Sequence, residues 1–252
     1  MLDALGPVSP HEAGFLLGVV LLAGIVRGFS GFGTALVFVP LASIVIPPVI
    51  AIALVVMLDM VGPLVNLRRA LAEGEPRAVG WLSLGMLFGL GPGFALLLHA
   101  PVETIRWAAS LTALGAAIAL GLGWRWRGGR GPGVQTGVGG VSGFLGGMTG
   151  LSGPPVVLFL LAAPIAAATV RANLILYFLV LDLALLALLA ATGQLGLGLV
   201  ALAGALVLPF MAANYLGALA FRWPLLSRYY RPAALGLIAT GALVGLPIWG
   251  RI

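Results

Sequence analysis

Apolar runs of 18 or more residues recur from one end of this chain to the other, and no other feature limits its fold as much. Runs of that length mark transmembrane helices, since about 20 helical residues cross a hydrocarbon core of about 30 Å. Composition agrees: 61% of the residues are hydrophobic and 8% charged, where a soluble domain carries about 25% charged residues. The expected fold class is an all-α polytopic membrane protein embedded in a lipid bilayer.

The 13 basic residues are all arginine, which fits the codon bias of a chain rich in Ala, Gly and Leu. A net charge of +6 raises the question of nucleic acid. The arginines, however, fall in short clusters between apolar runs, where cytoplasmic loops carry them, so no nucleic-acid partner is expected. Cysteine is absent, which excludes disulfides, thiol chemistry and Cys-based metal sites. Neither a metal nor a cofactor is expected. The stretch "MLDALGPVSPHEAG" has no basic n-region, so the first helix is expected to stay in the mature protein.

Ten apolar segments can be drawn, at 12–27, 32–46, 48–70, 77–98, 102–122, 134–148, 154–168, 170–192, 196–220 and 231–250. Segments one, two, six and seven are short for a full crossing and flank glycine-rich stretches. They read either as short tilted spans or as re-entrant half-helices. The Arg/Gly-rich run "GWRWRGGRGPG" (123–133) separates a first repeat, 1–122, from a second, 134–252. At one constant offset Gly28 meets Gly147, Ser30 meets Thr149, Gly31 meets Gly150 and Gly33 meets Ser152. Later, "VVMLDM" and "FLVLDL" align Asp59 with Asp182. Two matches in the same order favour an internal repeat.

Loop charge sets the orientation. Arg68, Arg69 and Arg77 follow segment three; Arg125, Arg127 and Arg130 follow segment five; Arg222, Arg228 and Arg231 follow segment nine. Placing all three clusters in the cytoplasm requires even numbers of crossings between them, and two and four segments lie there. Both termini then fall on the periplasmic side, and each half has an odd number of crossings. The halves are therefore expected to be inverted-topology repeats, a plan of secondary transporters that places the site at the repeat interface.

Four charges are singled out inside or at the edge of apolar segments: Arg27, Asp59, Arg171 and Asp182. A charge at mid-depth costs about 2.5–3.5 kcal/mol on insertion scales, so a lone one is seldom idle. The aspartates can tie helices together by pairing with Arg27 and Arg171, or can exchange protons during transport. Arginine forks around oxyanions; Arg171, at the start of its segment, can equally snorkel to the interface. The glycine breaks leave free N–H groups at the start of the next half-helix, which attract anions. Ser30, Thr34, Thr149 and Ser152 add hydroxyls there, although glycine and small polar residues also simply pack helices. Pro154 and Pro155 fit a first helical turn, and Pro92 and Pro209 read as related kinks. Asn173, Tyr177 and Asn214 either line a cavity or bond between helices.

The stretches "GFSGFGTALVFVPL", "GFLGGMTGLSGPPVVLFLL" and "RANLILYFLVLD" followed by "TGQL" resemble the TauE/SafE family of membrane proteins, also called the toluene-sulfonate uptake permeases. The similarity spans essentially the whole chain. It implies a bacterial inner-membrane transporter of sulfite, sulfonates or similar anions, with the positions Gly28 to Thr34 and Thr149 to Pro155 in the site. This chain departs from the family's more glycine-rich "GGG" form, having Thr34 and Ala35 after Gly33 and prolines after Gly153. The expected substrate-binding set is Arg27, Gly28, Ser30, Gly31, Gly33, Thr34, Thr149, Gly150, Ser152, Gly153, Arg171 and Asn173, with Asp59 and Asp182 for proton coupling or gating.

Three other classes compete, of which a purely structural or assembly protein has little need of two buried arginines and two buried aspartates. "GLSG" (150–153) matches a serine-hydrolase pattern, but that chemistry needs a histidine to activate the serine. The chain has only His11 and His99, both upstream, so no enzyme is expected. A passive anion channel shares every feature except coupling; the inverted repeats and mid-depth aspartates favour the transporter.

Overall fold

The computed structural model describes residues 10–30, 32–124, 126–220 and 224–248, with side chains for all of these except 10, 29–30 and 224–234. Arg125, Arg222 and the side chains of Arg228 and Arg231 lie outside that set. The described residues form eleven helices and no strand: α1 (Pro10–Ser30), α2 (Thr34–Ala42), α3 (Pro48–Asp59), α4 (Val61–Glu73), α5 (Pro76–His99), α6 (Val102–Gly121), α7 (Pro132–Thr149), α8 (Gly153–Leu161), α9 (Ala167–Ala191), α10 (Leu197–Ala220) and α11 (Pro224–Gly245). Five of them, α1, α5, α6, α9 and α10, are long and apolar enough to cross a bilayer; α3 and α4 together make a sixth, bent span.

Proline sets several of these boundaries. Pro48, Pro76, Pro132 and Pro154 stand in first helical turns, where the missing N–H has no intrahelical acceptor to lose. Pro63 acts differently. It follows Asp59 by four residues and offers no N–H to that residue's carbonyl, so the helical ladder opens there. The chain bends by 46° between α3 and α4, which divides the segment read as continuous over 48–70. In α9 the aligned position is Leu186, and that 25-residue helix runs unbroken through Asp182 to Ala191.

Segments two and seven are half-helices. α2 and α8 have nine residues each, about 13 Å at 1.5 Å per residue, too short to span. Segments one and six are fuller than expected, with 21 and 18 residues in α1 and α7.

Two helix pairs cross backbone against backbone: α5 on α7, and α1 on α10. A Cβ at Gly147 would strike the Leu90 carbonyl, one at Gly143 the Met86 carbonyl, and one at Gly93 the Phe144 carbonyl. At the other crossing Gly28 faces the Asn214 carbonyl, Gly24 that of Phe210, and Gly217 that of Ile25. In each α1/α7 pair (28 and 147, 24 and 143, 25 and 144) the interval is the one that aligns the glycine stretches. The α5/α10 partners (90 and 214, 86 and 210, 93 and 217) share a second constant interval. In that register Pro209 falls level with Gly85 rather than Pro92. Such close approach is how membrane helices gain packing energy where no water drives them together.

A buried charge within an apolar segment was passed over in the sequence. Arg106, in α6, is 7% exposed and donates from Nη2 to the Gly245 carbonyl at the end of α11 (3.4 Å). The 123–133 linker is packed rather than loose. Arg130 lies over the Phe159 ring of α8, 4.3 Å from its centroid, and Trp126 meets the same ring edge-on. Partial burial lowers the Arg130 pKa, opposed by the Glu75 charge.

Candidate functional site

Two left-handed glycines build the site. Gly33 (φ +96°) precedes α2 and Gly150 (φ +74°) closes α7. Only glycine adopts that conformation without a Cβ clash. Beyond these turns the N-terminal ends of α2 and α8 reach the wall of one cavity of about 50 Å³, room for a few waters or one small oxyanion. Arg27 enters this wall from α1, Asp59 from the broken end of α3, and Phe178 and Asp182 from α9.

The Asp59 carboxylate is held twice: Thr34 Oγ1 donates to Oδ1 at 2.7 Å, and Arg27 Nη1 lies 3.5 Å from Oδ2. Both charged side chains are mostly buried, at 14% and 18% exposure. Asp182 is buried and, among the described residues, has no hydrogen bond or ion pair. The wall therefore carries one cation and two carboxyl groups.

The backbone donors are unequal. The first turn of α2, Thr34, Ala35 and Leu36, has amide N–H groups that no intrahelical carbonyl accepts. In α8 the corresponding turn is Gly153, Pro154 and Pro155, and two of its three residues have no N–H at all.

Of the residues expected at the site, Arg27, Gly33, Thr34, Asp59, Gly150, Ser152, Gly153 and Asp182 line this cavity. Four others stand elsewhere. Gly28 is spent on the α1/α10 crossing. Thr149 turns its hydroxyl to the Leu145 carbonyl and accepts the Leu151 N–H, bracing the turn at Gly150. Asn173 clasps Glu75, accepting its N–H (2.7 Å) and donating to its carboxylate (3.1 Å), and so fastens the start of α5 to α9. Arg171 is exposed, about 16 Å along α9 from Asp182 at 1.5 Å per residue. The Ser30 side chain and Gly31 lie outside the described residues.

Two residues of this region escaped the sequence reading. Ser142 joins a buried chain in which Tyr177 Oη donates to Ser142 Oγ (2.7 Å) and Ser142 donates to the Ser152 carbonyl, fixing the head of α8. Phe178 stands one helical turn before Asp182 on the cavity face of α9; that spacing was available as a signal.

A family model described as Sulfite exporter TauE/SafE matches residues 16–247. The chain belongs to the TauE/SafE family. No curated protein and no solved structure matches it. TauE/SafE proteins are membrane transporters of the sulfite-exporter type, not enzymes, and the run of long apolar helices makes this member a multi-pass membrane protein.

Proposed function

We infer that this chain is a secondary transporter that moves a small sulfur-containing or organic anion, such as sulfite or a sulfonate, across the bacterial inner membrane. The observation that carries the reading is the convergence of both glycine breaks, Arg27, Asp59 and Asp182 on one small cavity. The anion is held by Arg27 and by the amides at the head of α2, where N–H groups and helix dipole both favour negative charge. The head of α8, with its prolines, shapes the cavity more than it donates.

Coupling follows from counting charge. With Arg27, Asp59 and an ionised Asp182 the wall is net negative and repels an anion. A proton on Asp182 makes it neutral, so anion and proton occupy the site together. The matched crossings of α1 with α10 and α5 with α7 support two inverted repeats, 1–122 and 134–252, with the site between them. The arginine clusters support a cytoplasmic linker and periplasmic termini.

The test is sulfite flux in proteoliposomes, with and without an imposed pH gradient, against sulfate and a small sulfonate. Uphill movement driven by the gradient is expected. Downhill flux indifferent to it would mean a channel or uniporter, and no flux of any of the three anions would remove the substrate class.

A further inference from the structure

Beside the central cavity lies a larger one of about 640 Å³, walled by α1, α4, α8, α9 and α10. Arg27, Phe32 and Phe178 belong to both walls. At its other end the larger cavity shares Asn66, Arg171 and Ile175 with a third, of about 320 Å³, which contains the exposed Arg69–Glu73 pair. The three lie in series. One stripe of α9 follows them from mouth to centre, with Arg171, Ile175, Phe178, Asp182 and Leu185 at helical spacing.

Charge along this line is ordered. Arg69 is neutralised by Glu73 at 2.8 Å, and Arg27 faces Asp59. Arg171 has no ion-pair partner among the described residues, and no carboxylate lines the larger cavity. An anion inside it meets Arg171 at one end and Arg27 at the other, while the nearest carboxylates, Glu73 and Asp59, line only the adjoining cavities. A cleft lined by one sign of charge between low-dielectric walls concentrates counter-ions.

The geometry points to a second anion subsite at Arg171, at the mouth of a vestibule that opens beside Arg69, toward the short loop between α4 and α5, and is parted from the central cavity by Phe32 and Phe178. It rests on the anion-transport reading for its cargo, a small oxyanion that the Arg171 guanidinium holds before the central site takes it. The aromatic pair divides the two subsites, so the described conformation is loaded from the side of that loop.

The chain has no cysteine, which makes the vestibule testable without any transported substrate. Single cysteines at Asn66→Cys (mouth) and Met211→Cys (deeper wall) are labelled in oriented vesicles. The probes are anionic sulfonatoethyl and cationic trimethylammonioethyl methanethiosulfonate. Both sites should react from the loop side only, and faster with the anionic reagent. Adding Arg171→Gln should slow the anionic reagent about fivefold at low salt and speed the cationic one, with the effect fading as ionic strength rises. Arg171→Lys should preserve the preference. Absence of labelling, or labelling indifferent to reagent charge and to Arg171, overturns the proposal. In flux assays Arg171→Gln should raise the half-saturating sulfite concentration several-fold at low salt. Charge-selective labelling in a protein that moves none of sulfite, sulfate and the sulfonate would keep the vestibule and reject the anion-transport reading; flux of one of them with charge-blind labelling would do the reverse.

Discussion

Asp59→Asn separates an ion pair that ties helices from a cation reserved for the substrate. Asn still accepts from Thr34, so the specific loss is the counter-charge of Arg27. Two unit charges 3.5 Å apart attract by about 4–5 kcal/mol at an effective dielectric of 20. Exposures of 14% and 18% admit some screening, and removing one partner of a fully buried pair costs about 3–5 kcal/mol. A loss of about 2–3 kcal/mol is therefore expected, which lowers the melting midpoint by roughly 4–12 °C for a chain of this size. The double variant Arg27→Gln/Asp59→Asn leaves neither charge stranded and should recover to within about 1 kcal/mol of the parent. Sulfite flux should not recover with it, because the anion's cation is gone. Thermal melting in detergent and flux in proteoliposomes, made on the parent, the single variants Asp59→Asn and Arg27→Gln, and the double variant, test both halves. If the double variant regained flux along with stability, Arg27 would be a structural tie and the anion site would have to be sought elsewhere.

Asp182→Asn should flatten the pH dependence of flux while sparing anion binding, whereas the parent's flux should fall as rising pH ionises that carboxyl; an unchanged pH profile would leave Asp182 structural. Gly28→Val and Gly147→Val, which drive side chains into the Asn214 and Leu90 carbonyls, should each cost at least the about 1–3 kcal/mol typical of overpacking, and melting curves will show whether the two crossings respond alike. Ser142→Ala should cost about 1–3 kcal/mol by stranding the buried Tyr177 hydroxyl and the Ser152 carbonyl, and Tyr177→Phe, which strands neither, should cost less. Equal melting losses for those two variants would contradict the hydrogen-bond order assigned to the chain.

Much of this molecule was legible because lipid enforces simple rules. Length and hydropathy gave the helices, and the paired "GFSGFG" and "GLSG" stretches marked the breaks that meet at the cavity. The misreadings are instructive. The break at Asp59 was written in the chain as a proline four residues on, but the surrounding run is so apolar that periodicity carried straight through it. Arg106 was overlooked because buried and snorkelling arginines look alike near a segment end; only α11, far along the chain, supplies the carbonyl it donates to. Asn173 and Thr149 stand close to the motifs in sequence, yet Thr149 bonds within its own turn and Asn173 bonds Glu75, 98 residues away. Proximity to a motif fixes position along a helix and leaves depth and facing open. For Arg171 the depth was calculable, since eleven residues of helix separate it from Asp182.

The two glycine crossings also bear on how the protein can move. Each joins a helix from one sequence half to a helix from the other, α1 to α10 and α5 to α7, and does so through main chain that no rotamer change can relax. The halves are thus interlocked like clasped hands rather than set side by side. Any alternation between inward and outward states must carry α1 with α10, and α5 with α7, as composite bodies cut across the sequence. The slack for that motion then falls to the short half-helices α2 and α8 and to the bend at Met60, which bring Thr34, Gly153 and Asp59 to the cavity wall.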